Sequence, residues 1–448
     1  MDRDSNQPVG AAPRQLLSAT DGIFLTVGMI LGALIFKAPS TVAGATSSTA
    51  MFLFAWLLGG LASLCGALVY AELASRHPET GGEYAFLRGG WGAGVAFLFG
   101  WARMTVIQTG AIAAVGFVFG DYASEILRLG SHSSAIWCAL AVVVLTALNL
   151  AGTLQAKGTQ KAMETVLIAS LVLFSLAAIA IGGTPKPASG GGGSFGAFGF
   201  AMIFVLLAYG GWNEAAYLAG EVRDGRRSMI RILVWGVIAV TALYLLVNVA
   251  YLAVLGLGGV RESKAVAADV MRVIAGERGA VVVALMVCVS VITTMNAAIF
   301  TGARTTYALG RDFPRLARLG SWRESGSTPA NALLLQGAIT LALVAAGAVT
   351  PDGFQAMVAY TAPVFWTFFL LTGLTIFVLR RRQGPAPFQT PLYPVVPFAF
   401  SVMCLYMLYS SIDYVRNPEY GPKFGAAVVA GIVVMIAGIP IYLFIRKK

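Results

Sequence analysis

Long stretches without a single Asp, Glu, Lys or Arg recur along the chain, at 38–71, 133–156, 187–213, 232–260, 279–303, 325–351, 353–379, 383–412 and 424–445. About 20 mainly apolar residues in a helix cross the hydrocarbon layer of a membrane. Three interrupted runs, at 20–43, 90–120 and 162–183, qualify as well if Lys37, Arg103 and Glu164 face protein or water rather than lipid. The pattern predicts an all-α polytopic membrane protein with twelve transmembrane helices. They lie near 20–43, 49–73, 90–120, 135–151, 162–183, 198–220, 229–256, 279–310, 330–349, 354–380, 393–412 and 424–445.

Two spans are interrupted in corresponding places. Span 1 contains Gly28 and Gly32 and runs toward Pro39, while span 6 contains Gly210 and Gly211 followed by Asn213 and Glu214. A broken helix opening each of two five-helix groups is the pattern of an inverted repeat with a binding site between the halves. The expected division is a tail at 1–19, a first repeat at 20–183, a flexible linker at 184–197 and a second repeat at 198–380. A loop at 381–392 then leads to two further helices and a short basic tail at 393–448. The glycines of span 1 equally fit a small-residue packing face. Between spans 7 and 8, Val266, Val270 and Ile274 recur at helical spacing, which reads as a short amphipathic helix on the outer surface, a lid or a plain connector.

Composition and charge narrow the class. The chain is 58% apolar and 11% charged, against about 25% charged in soluble domains, which excludes an ordinary soluble enzyme. The net charge of +11 is not a nucleic-acid signature. If the chain starts inside, the tails and loops on that side hold 21 of the 31 Lys and Arg residues and the opposite loops hold 8. That is the positive-inside bias, and it places both termini in the cytoplasm. The N-terminal tail lacks the apolar core of a secretory signal. Four cysteines, Cys65, Cys138, Cys288 and Cys404, sit singly in apolar runs, and both histidines, His77 and His132, fall in loops. No metal, cofactor or redox site is indicated.

A broken membrane helix exposes amides on one half and carbonyls on the other, and these bind ions without side-chain charge. Amides at Gly32, Ala33 and Leu34 are placed to hold a carboxylate, with Gly28 one turn before. Carbonyls around Ala208, Tyr209 and Gly210 are placed to accept from an ammonium group. Tyr209 and Trp212 either pack on substrate or fill space, with Gly211 and Asn213 completing the segment. Glu214 is expected near the bilayer centre, where a carboxylate faces a cavity, pairs, or carries a proton. It is a candidate for coupling, or for a static pair with Lys37 or Arg103. Thr293 and Thr294, with Asn296 in span 8, are candidates for sodium coupling or for helix–helix bonding.

These residues give the chain a resemblance to the amino acid-polyamine-organocation superfamily, most of all to its L-type amino-acid transporter branch. The likeness runs from about Leu17 to Phe444. It rests on Tyr70-Ala71-Glu72-Leu73 with Pro78 and Gly81-Gly82-Glu83-Tyr84, on Ala208-Tyr209-Gly210-Gly211-Trp212-Asn213 with Gly220-Glu221, and on Arg304, Tyr307, Arg311-Asp312 and Pro314. Pro387-Phe388, Pro391, Tyr393-Pro394 and Pro397 follow. The resemblance implies a LeuT-like five-plus-five core plus two helices. It also implies alternating access, a carboxylate cradle at Gly32, Ala33 and Leu34, and an amine and side-chain region at Tyr209–Asn213. Three positions depart from the family pattern. The usual Gly-Ser-Gly-Ile-Phe reads Gly32-Ala33-Leu34-Ile35-Phe36, Leu167 stands where many relatives carry a lysine, and Glu214 replaces a neutral residue.

The sequence therefore points to a secondary-active amino-acid transporter of the cytoplasmic membrane, with organic amines or polyamines as the alternative substrate class. The expected partners are an amino acid or amine, a coupling ion (proton or sodium) and the bilayer, with no nucleic acid and no obligate protein partner. A channel or receptor is the remote alternative, because no filter loops or charged rings are visible. A membrane enzyme lacks the residue clusters it would need.

Overall fold

The computed structural model describes residues 19–77, 82–152, 157–187, 195–213, 225–323, 328–416 and 421–446. Regular structure among the described residues is helical. The first run is not one helix. α1 (Ala19–Ile30) ends, Leu31 and Gly32 leave the helix, a 3-10 turn follows at Ala33–Phe36, and α2 (Ala38–Gly44) completes the run. α3 (Thr49–Arg76) starts at Ser48, whose hydroxyl accepts from the Met51 amide and satisfies one of the orphan donors of a helix start.

The expected third span is more elaborate than a single helix. α4 (Glu83–Trp91) and α5 (Ala93–Ala102) are separated by Gly92, whose φ of +90° turns the chain so that α4 packs back on α5. A π-helical turn at Arg103–Ile107 joins α5 to α6 (Gln108–Ile126). The Thr105 carbonyl accepts from Tyr360 Oη at 3.1 Å. Such a turn inserts one residue into the helix and is frequent at functional sites.

α7 (Ser133–Ala151), α8 (Lys157–Ile181) and α9 (Phe195–Ala208) follow. α9 gives way at Tyr209–Gly211 before helix resumes at Trp212 and Asn213. α10 (Gly225–Glu262) and α11 (Val266–Asp312) are kinked at Gly256 and Gly276, both at φ +69°. The fold closes with α12 (Ala330–Ala348), α13 (Gly353–Gln383), α14 (Val395–Asp413) and α15 (Gly421–Arg446). The amphipathic stretch before span 8 is the first part of α11. Its Val266, Ala267, Ala268 and Val270 are buried and α11 packs on the 3-10 turn, so the stretch covers the bundle rather than trailing beside it.

Among the described residues, nine helices are long and apolar enough to cross a membrane, and Thr165–Ile181 and Gly196–Ala208 are shorter apolar helices. The protein is a multi-pass membrane protein. Its exposed large side chains are lipid-compatible, such as Leu61, Leu173, Val282 and Phe398, whereas the aromatic core lies where α3, α9 and α10 meet. The linker glycines Gly190–Gly193 and the closing motif Gly220-Glu221 lie outside the described residues.

Candidate functional site

The two interruptions meet. Gly211 adopts φ +106°, and a Cβ there would collide with the Met29 carbonyl and approach the Ile30 Cα at 3.3 Å. The backbone of the second break thus lies directly on that of the first. A side chain is excluded both by conformation and by space. Gly32 is different: it is extended (φ −113°, ψ −179°), and a Cβ would meet only the Ile30 carbonyl, at 3.8 Å.

Tyr244 on α10 joins the breaks from a third direction. Its hydroxyl lies 2.8 Å from the Ala208 carbonyl and 3.1 Å from the Ile30 carbonyl. Both carbonyls belong to helix ends that have lost an intrahelical donor, and a buried unpaired carbonyl costs about 1–3 kcal/mol. Nothing in the sequence singled out Tyr244, because a lone tyrosine in an apolar helix reads as packing. The Ala208 carbonyl, expected on the amine side, already accepts one hydrogen bond and keeps a second lone pair. The amides of Ala33 and Leu34 open the 3-10 turn, where no carbonyl of their own segment reaches them.

Tyr209 and Trp212 both pack on protein side chains. Tyr209 Oη donates to the Trp56 carbonyl at 2.9 Å, and its ring packs on Trp56 and Tyr244. Trp212, 4% exposed, stands edge-on to Tyr70, Phe369 and Phe400, with Gly66 making room for its far edge. Gly28 and Leu34 are half-buried beside the break, and Gly210 closes a turn onto the Leu207 carbonyl at 3.0 Å.

Asn213 reaches a polar group that the sequence did not place nearby. Its Nδ2 donates to Glu83 Oε1 at 3.1 Å, while Arg103 lies 3.4 Å from Glu83 Oε2. The turn at Gly92 brings Glu83 and Arg103 together. One residue on, Tyr84 Oη donates to Asp312 at 2.9 Å; burial and that carboxylate push its hydroxyl well above the usual phenol range, so it remains a donor.

Glu214 lies outside the described residues, and Glu164 has no described side chain. The partners considered for Glu214 are engaged elsewhere: Lys37 with Asp121 at 2.7 Å, and Arg103 with Glu83. Thr293 is exposed and Thr294 half-buried, and both hydroxyls donate to the Ser290 carbonyl of their own helix. Asn296 accepts from Asn149 at 2.7 Å, tying α11 to α7. Among the described residues no cluster of His, Cys, Asp and Glu has the form of a metal site.

Comparison with known proteins identifies the family. Residues 17–439 match the Amino acid permease family. The chain is 28% identical to b(0,+)-type amino acid transporter 1 of Homo sapiens over 432 residues, covering 93% of this chain and 86% of that one. It is 27% identical to the serine/threonine exchanger SteT of Bacillus subtilis (strain 168) over 439 residues, 95% of each. With the human cystine/glutamate transporter it shares 26% over 463 residues, covering 98% and 88%. These relatives are transporters and exchangers, not enzymes. The chain belongs to the amino acid permease family of the amino acid-polyamine-organocation superfamily.

Proposed function

We propose that this protein is a secondary-active amino-acid transporter, a permease or exchanger, that works by alternating access across the cytoplasmic membrane. The observation that carries the reading is the contact of Gly211 with Met29 and Ile30, bridged by Tyr244. It sets the ends of two half-helices side by side where a zwitterion needs both. In this reading the Ala33 and Leu34 amides, with Gly32 behind them, receive the carboxylate. The turn at Tyr209–Asn213 bounds the amine side, and Glu214 is the candidate for proton coupling. Thr293 and Thr294 serve α11 itself, as their bonds to Ser290 support.

The nine long helices, the two shorter apolar ones and the broken α1–α2 crossing add up to twelve spans. They are arranged as a five-plus-five repeat with two helices added and both termini inside. Lys37, Asp121 and Asp352 then mark the outer side, and Glu83, Asp312 and Arg380 the inner. Purified protein in liposomes loaded with an unlabelled amino acid should accumulate labelled amino acid by counterflow. Equilibration without accumulation would indicate a channel. Accumulation of diamines but no amino acid would replace the substrate class with organic amines.

A further inference from the structure

Four residues beyond Ala33 stands Lys37, 2% exposed, in the joint between the 3-10 turn and α2. Its ammonium lies 2.7 Å from Asp121 of α6, 3.7 Å from Asp352 at the start of α13, and 3.4 Å from the Lys264 carbonyl before α11. One side chain thus ties three separate elements to the first broken helix. Tyr122 adds a second tie, donating to the Phe36 carbonyl at 2.9 Å and accepting from the Ala267 amide at 3.2 Å. Arg261 adds a third at the far end of α2, donating to the Ala43 and Thr46 carbonyls, each at 3.2 Å.

Burial is uneven within this group. The lysine side chain is 3% exposed, whereas Asp121 and Asp352 are 16% and 26% exposed, and Asp352 also caps α13 through Oδ1. Both carboxylates stay partly exposed and Asp352 also holds the Gln355 amide, so most of the cost of drying the pair falls on Lys37 and returns when it withdraws. A contact balanced in this way can open and close, unlike a buried pair with both charges dry. It also shares a single turn with the candidate cradle, because Lys37 N–H donates to the Leu34 carbonyl at 3.1 Å.

We infer that Lys37 is a positioning residue that pins the outer pathway shut, so that the turn offering amides to the substrate and the turn sealing the outside move as one piece. The inference rests on the transporter reading above. The test uses full-length protein with its native cysteines replaced and a single reporter, Leu34→Cys, one turn inward of the pin. The reporter is labelled by a membrane-impermeant thiol reagent in right-side-out and in inside-out vesicles. Lys37→Met and Asp121→Asn should each raise the labelling rate from outside by about tenfold and lower it from inside, the sign of a shifted two-state population. Lys37→Arg should remain slow. Asp352→Asn, which leaves Lys37 its nearer partner Asp121, should raise outer labelling by less, and Asp121→Asn serves as the second variant should Lys37→Met fold poorly. Outer labelling that stays unchanged, or labelling that rises equally on both sides as a loosened fold would give, overturns the pin. Counterflow by the native protein is measured in parallel. Its failure removes the transporter reading, whereas active counterflow with unmoved labelling removes the pin alone.

Discussion

The two helix breaks look alike in the sequence but are maintained in different ways. At Gly211 the backbone itself requires glycine, being left-handed and pressed on Met29. At Gly32 the chain is extended, with space for a side chain, and the break is held by what surrounds it: Tyr244 on one side, Tyr122 and the Lys37 pairs on the other. One break is intrinsic to its residue and the other is imposed by its neighbours. The first break can therefore be followed by Ala33 and a residue as bulky as Leu34. An imposed break does not depend on its own residues being small, whereas an intrinsic one does.

The sharpest way to break this comparison is Gly211→Ala. Left-handed backbone costs a side chain roughly 1–2 kcal/mol before any collision is counted, and here the collision is with main chain that cannot rotate away. Counterflow should be lost, with a reduced monodisperse yield by size exclusion; an active Gly211→Ala protein would show that the breaks do not touch. Next in size is Tyr244→Phe. It removes the hydroxyl shared by two carbonyls and should lower stability by about 1–3 kcal/mol, seen as a lower melting temperature, with uptake reduced about tenfold. Asn213→Ala should have a smaller effect, since Glu83 keeps Arg103 as a partner. A two- to fivefold fall in uptake, with melting within about 0.5–1.5 kcal/mol of the native protein, is expected for one lost hydrogen bond. The smallest effect belongs to Gly32→Ala, which should stay within about twofold of native uptake because its Cβ meets a single atom at 3.8 Å. If Gly32→Ala were as damaging as Gly211→Ala, the distinction between the two breaks would collapse.

Much of this was legible in the chain. Charge-free runs located the helices because lipid permits little else, and the paired glycines beside Asn213 marked the second break. What stayed hidden depends on distant partners. Tyr244 differs from a packing tyrosine only through where its hydroxyl lands. Lys37 could be read as an intramembrane charge but not assigned to Asp121, because the pairing follows from how the 3-10 turn before it packs on α6. The meeting of Glu83 with Arg103 required the reversal at Gly92, which in sequence is one glycine among many near Gly89 and Gly90. The aromatic residues Tyr209 and Trp212 were read as substrate contacts or packing, and their described contacts are with protein.

The π-helical turn at Arg103–Ile107 carries a consequence for the helix it interrupts. One inserted residue rotates everything beyond it by about 100° relative to an uninterrupted helix. The face bearing Arg103 and the face bearing Asp121 are therefore out of phase by design, and each is aimed at its own counter-charge. Tightening the turn to regular helix without removing a residue would swing Asp121 away from Lys37 while Arg103 kept its place, whereas deleting one of its residues would leave both charges where they are. One span thus aims two charges independently, the inner at Glu83 and the outer at Lys37, which a regular helix of the same sequence would point along one line.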